Sequence, residues 1–218
     1  MKTRTRITLL ATLLTSVATA VAAPSVDITV TGSIVPGGCT PTLSNALFDH
    51  GRLYTRDLLA AAPTVLHDRA RTSTLNINCE SATAYALRAV DNRADSVLDN
   101  NDGSRFGLGL TTNNEKIGSY RLRVEPEGST LDGEPALLLL GSPSGRVWSP
   151  AERRGRSLRN DGRLIGLTSR SVEGGGPMAA KNAALTLTSY LTIAPTDSLT
   201  LDDEVPLAGV ATLELFYL

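Results

Sequence analysis

Cysteine and histidine are almost absent from this chain. Cys39, Cys79, His50 and His67 are all it has of the two. Two cysteines cannot close a zinc site without histidine help, and the two histidines show no ligand spacing, so no metal is expected. Nor do two scattered histidines support a Ser–His–Asp arrangement. Gly141-Ser-Pro-Ser-Gly145 is not a nucleophile elbow, because Pro143 takes the central position. Gly107-Leu-Gly109 lacks the third glycine and the following helix of a dinucleotide site. Asp99-Asn-Asn-Asp-Gly103 has the wrong spacing for a calcium loop and reads as an Asp-Gly turn. Asp202, Asp203 and Glu204 read as a solvated turn. Neither an enzyme nor a cofactor is expected.

Positive charge is not in excess. The N-terminal segment holds three basic residues, Lys2, Arg4 and Arg6, and reads as a cleavable signal. Removing these three from 21 leaves 18, against 22 acidic residues, for a net charge of −4. That balance argues against nucleic acid and against an anionic membrane surface as partner. Beyond the first residues no apolar run is long enough to span a bilayer. Helical periodicity is sparse too.

After that positive start comes an apolar run from Ile7 to about Val17, and then small residues crowd together at Ala18–Ala23. This is the order of a secretory signal, with cleavage expected after Ala22. The expectation is export through the periplasm without membrane insertion after cleavage. In an oxidising compartment Cys39 and Cys79 most simply form one disulfide.

Beyond the signal the chain is β-rich. Ser25–Val35 alternates, with Val26, Ile28, Val30, Gly32 and Ile34 on one face. Further strands are expected at Thr72–Cys79, Ala84–Val90, Phe106–Leu110, Ser119–Val124, Leu137–Leu140, Ala184–Ile193 and Gly209–Leu218. Asp91–Arg105 and the Gly-, Ser- and Arg-rich stretch Gly141–Gly176 read as loops, and a short helix fits Arg56–Ala61. The basic cluster Arg153, Arg154, Arg156 and Arg159 reads either as an anion-binding site or as a solvated loop. Many short strands separated by turns imply an all-β sandwich. Both ends are long, alternating strands of the kind that soluble proteins usually blunt against pairing with other chains. An ordinary first strand and a last core strand are the alternatives. A strand like the first could insert into a groove on another protein, with main-chain bonds for affinity and alternate side chains for pockets.

Val30-Thr-Gly-Ser-Ile-Val-Pro-Gly-Gly-Cys39, Leu-Asn-Ile-Asn-Cys79 and Leu213-Glu-Leu-Phe-Tyr-Leu218 resemble, in that order, the start, the second cysteine strand and the last strand of chaperone–usher fimbrial subunits (pilins). Leu-Phe-Asp-His-Gly (47–51), Ala-Leu-Arg-Ala-Val-Asp-Asn-Arg (86–93), Phe-Gly-Leu-Gly-Leu (106–110) and Glu-Lys-Ile-Gly-Ser-Tyr (115–120) more closely resemble a fimbrial-like family of uncharacterised function, related to β-fimbria major subunits. The resemblance implies an immunoglobulin-like sandwich lacking its last strand. It divides the chain into a signal peptide (1–22), an N-terminal donor strand (23–35) and a pilin-like domain (36–218). Val26, Ile28, Val30, Gly32 and Ile34 would be donated to a neighbouring subunit. Leu213, Leu215 and Tyr217 would border the groove, and Cys39–Cys79 would tie the first strand to the second. The implied partners are a periplasmic chaperone, an outer-membrane usher and neighbouring subunits, and the implied location is the cell surface. A tip or minor subunit acting as a glycan-binding adhesin is the alternative. Typical pilins carry a glycine where this chain has Val205; the nearest here is Gly209.

Overall fold

The computed structural model describes residues 29–31, 38–99, 101–170 and 175–218. The chain divides into two compact units, Met1–Val35 and Pro36–Leu218. Of the first, only residues 29–31 are described. They carry no regular secondary structure, and Val30 is 91% exposed. The signal and the other donor-strand residues (Val26, Ile28, Gly32 and Ile34) lie outside the described residues.

The second unit is a sandwich of two antiparallel sheets, with no α-helix among the described residues. Its strands are β1 (Cys39–Leu43), β2 (Thr64–Thr83), β3 (Tyr85–Asp91), β4 (Phe106–Gly107), β5 (Gly118–Leu131), β6 (Glu134–Pro135), β7 (Leu137–Gly141), β8 (Arg156–Ser157), β9 (Leu164–Thr168), β10 (Ala180–Ile193) and β11 (Ala211–Tyr217). Sheet A runs β1-β2-β10-β5-β4, with β6 and β8 also paired to β5; sheet B runs β11-β3-β9-β7.

Alternation decides which side chains meet between the sheets, because successive residues of a strand face opposite ways. Sheet A sends in Leu75, Ile77 and Cys79 from β2, Leu185, Leu187 and Leu191 from β10, and Leu122 and Val124 from β5. Sheet B answers with Tyr85, Leu87 and Ala89 from β3, Ile165 and Leu167 from β9, and Leu138 from β7. Cys39 and Cys79 stand directly opposite each other in the β1–β2 ladder and are joined as a disulfide.

Two expectations need correction. The stretch Gly141–Gly176 is not simply a loop. It contains β9, all five of whose residues are buried. The inner face of β9 meets the core, and its outer face is covered at Gly166 by Trp148 and Pro177. There Trp148 lies so close to Gly141 and Gly166 that a Cβ on either would come within 2.7 Å of the ring. A strand covered on both sides has no polar face, so the alternation that marks other strands is missing. The expected helix at Arg56–Ala61 is instead a single 3-10 turn at Thr55–Asp57 with no buried residue. Pro63, just before β2, leaves too few residues to extend that turn into a helix.

Candidate functional site: an apolar cleft beside an open strand edge

Three of the four sheet edges are blunted, each for a legible reason. β1 carries Pro41, which has no N–H to offer a further strand. The far side of sheet A ends in two-residue strands. β7 is capped by its own downstream chain: Leu138 and Glu152 exchange backbone bonds of 3.0 Å, and Ser149 N–H donates to the Leu140 carbonyl at 2.8 Å.

β11 is different. It pairs with β3 alone among the described strands. The Asn92 N–H donates to the Val210 carbonyl, and the Leu218 N–H to the Ala84 carbonyl. In an antiparallel ladder each residue turns both its polar backbone groups to one side, and the side alternates along the strand. Even-numbered residues therefore bond to β3, while Ala211, Leu213, Leu215 and Tyr217 turn their N–H and C=O groups to the open edge. These same odd positions include the inward side chains: Ala211, Leu213 and Leu215 are half-buried against the core.

Next to that edge the sandwich gapes. A cleft of about 840 Å³ runs between residues 46–58, which follow β1, and residues 199–210, which lead into β11, with Leu43 of β1 and Ala211 and Leu213 of β11 also lining it. Its floor is sheet A: Tyr120 and Leu122 from β5, and Leu187, Leu191 and Ile193 from β10. Leu108 and Ile117 add to it. Exposed apolar side chains stand on both rims, with Leu47 and Tyr54 on one side and Leu207 and Val210 on the other.

Each wall is fastened by polar contacts. In the first, Ser44 and Asn45 bond to Ser73 and Thr74 of β2, Asp49 accepts from Arg71, and His50 reaches Arg69 and Ser189. In the second, Glu115 accepts from the N–H of Thr200 at 2.7 Å and from its hydroxyl at 2.8 Å. Those bonds hold its carboxyl below the usual carboxylate range. The Ala208 N–H donates to the Leu108 carbonyl, and Gly209 lies against the Tyr120 ring. The two walls meet at an exposed ion pair, Arg52–Glu204, 4.0 Å apart. At the far end of β11 the Tyr217 hydroxyl accepts from the Cys39 N–H at 3.1 Å, so the last strand of sheet B touches the first strand of sheet A.

The site residues expected from sequence thus separate. Leu213 lines the cleft, Leu215 packs against the core beside it, and Tyr217 bridges the sheets at the end of β11. Cys39–Cys79 braces the start of β1. The wall at 46–55 and the floor residues Tyr120 and Leu187 were not anticipated as site residues. Their signal was weak: a wall without regular strand structure leaves no periodicity, and floor residues alternate like any core strand. Within the basic cluster, Arg156 pairs with Glu152 and Arg159 with Asp161, which favours a solvated, neutralised surface over an anion site.

Comparison with known proteins adds a family-level observation. Residues 28–105 match the model of a family described as "Protein of unknown function (DUF1120)". That stretch includes both cysteines and the first wall of the cleft. The chain is 26% identical over 227 residues to Protein GltF of Escherichia coli (strain K12), a match covering 88% of each. It is 30% identical over 125 residues to Uncharacterized protein YhcF of the same organism, covering 48% of this chain and 52% of that protein. No solved structure shows a significant match.

Proposed function

We propose that this chain is a structural subunit of a chaperone–usher fimbria, whose cleft is filled by a β-strand lent by another chain. The observation that carries the proposal is the open edge of β11. A cleft of this size could also house a small apolar ligand. A small ligand, however, leaves a row of unpaired backbone groups beside it, whereas a strand satisfies them. The other sheet edges are blunted, so the open one reads as an attachment point rather than an oversight. Pro41 on β1 further selects β11 as the partner for an incoming backbone.

The lent strand is residues 24–35 of the next subunit, preceded in the periplasm by a strand from a chaperone and exchanged at an outer-membrane usher. At roughly 3.3 Å per residue, Val26 to Ile34 spans about 26 Å, against about 20 Å for β11. Burying Val26, Ile28, Val30 and Ile34 is worth about 1.5–3 kcal/mol each before ordering costs. New ladder bonds add about 0.5–1.5 kcal/mol each. Gly32 lets the donated backbone approach closely where a Cβ would intrude.

The test is a graft. Residues 24–35 are appended after Leu218 through a short flexible linker, and the original N-terminal copy is removed. The grafted chain is expected to be a stable monomer, while the chain from residue 23 polymerises or aggregates without a chaperone. A chain from residue 23 that is already monomeric, and no less heat-stable than the graft, overturns the proposal.

A further inference from the structure

The first wall of the cleft is fastened by a histidine, His50. His50 is 7% exposed and lines the cleft from behind the wall. Its Nδ1 lies 2.7 Å from the Arg69 carbonyl, which can only accept, so Nδ1 carries the proton. Nε2, 3.1 Å from the Ser189 hydroxyl, then accepts from it. The fold supplies the Arg69 carbonyl through an irregularity in β2. Ser189 pairs with Arg71 but Leu191 with Leu66, so residues between Leu66 and Arg71 bulge from the ladder. One imidazole thus ties the wall to both β2 and β10.

We propose that His50 is an acid-released staple, whose protonation frees residues 46–54 from sheet A and opens the cleft. On protonation Nε2 becomes a donor. The Ser189 hydroxyl, on a residue 2% exposed, must then turn to accept. The charged groups around the ring are Arg69 and Arg71 on β2 and Asp49 beside it on the wall. Across the cleft stand Asp203 and Glu204, the latter paired with Arg52. Burial is the strongest influence and opposes the cation. The bond to Arg69 and the Asp49 carboxylate favour the cation, and Arg71 opposes it. The balance holds the imidazole below its ordinary 6.5. A depressed histidine favours the docked wall fully above that ordinary value. The preference is lost as pH falls below it toward the folded value. For strand capture, a consequence that rests on the fimbrial-subunit proposal, the cleft holds its strand less firmly in acid.

Hydrogen exchange followed by mass spectrometry on the full chain tests this in whatever assembly state it adopts. After correction for intrinsic rates, peptides covering 46–54 are expected to lose protection between pH 7.5 and 5.0. The loss is up to about thirty-fold, the ceiling for a released histidine of ordinary pKa. Peptides from the centre of β10 are expected to keep theirs. His50→Gln should remove the pH dependence. His67→Gln should leave it intact, because His67 is exposed on the outer face, edge-on to Tyr190 at 6.3 Å. His67→Gln also makes His50 the sole histidine. Should His50→Gln not fold, the NMR titration midpoint of that lone imidazole must coincide with the midpoint of wall exchange. Wall protection that is the same at both pH values, or separate midpoints, overturns the staple. A failed strand graft does not touch this result, because the readout is the wall itself.

Discussion

Gly209 makes a quantitative test of how the second wall is built. A Cβ placed there would stand 2.5 Å from Cε1 of Tyr120, 3.1 Å from Cδ1 and 3.2 Å from the Gly107 carbonyl oxygen. The ring cannot simply swing away. Tyr120 is 8% exposed and packs against Phe106 with centroids 5.5 Å apart. The backbone is pinned next door by the Ala208–Leu108 bond of 2.9 Å. Gly209→Ala therefore overpacks the junction of wall and floor, which costs about 1–3 kcal/mol. The loss of chain freedom in the unfolded state returns about 0.4–1 kcal/mol. The mid-values of the two ranges leave a net loss of about 1.3 kcal/mol, with an upper end of about 2.6 kcal/mol, read as a lower urea midpoint of the oxidised chain. Gly38→Ala is the matched control, because its Cβ would meet nothing within 4 Å. It should leave the midpoint unchanged or raise it slightly. If Gly209→Ala proves as stable as Gly38→Ala, the wall is not held against the Tyr120 ring.

The same geometry has other consequences. Replacing both Cys39 and Cys79 by alanine removes a cross-link between residues 40 apart in sequence. The loss should be about 4 kcal/mol by the chain-entropy relation, and denaturation of the double variant against the oxidised parent checks it. Asp102 titrates below its usual 3.8, chiefly through the hydrogen bond from the Ser104 hydroxyl, with burial opposing. A depressed carboxylate contributes stability above that value, and the contribution is lost as pH falls through the folded value. Asp102→Asn should therefore lose less stability than the parent between pH 5 and pH 3, seen as a smaller drop in urea midpoint.

The sequence was most legible where one face of a strand is wet. Ala184–Ile193 lies within β10, Ser119–Val124 within β5 and Thr72–Cys79 within β2, because alternation survives wherever inward apolar and outward polar residues interleave. β2 begins earlier than expected, at Thr64. The polar run His67-Asp-Arg-Ala-Arg71 hides the continuation, since it lies where the ladder is irregular. β9 was illegible for the opposite reason: it is apolar on both faces and flanked by glycine and arginine. The cleft was half legible. Leu213 lies on the last strand, whose alternation marks it, whereas Tyr217 on the same strand does not line the cleft. The wall with His50 could not, because its place depends on bonds to residues 19 and 139 positions away. Gly209 lies against the Tyr120 ring beside the cleft, and Val205 is one of the residues that line it.

The claim that β11 receives a strand is tested most directly by amide exchange along that strand, residue by residue, in the strand-grafted or assembled chain. Even residues are bonded to β3 in any case, and their amides should exchange slowly. If a strand fills the cleft, the amides of Leu213 and Leu215 should be slowed to a similar degree. If those two exchange at the rate of open-edge amides while Glu214 and Phe216 stay protected, the edge of β11 is empty and the proposed strand lies elsewhere.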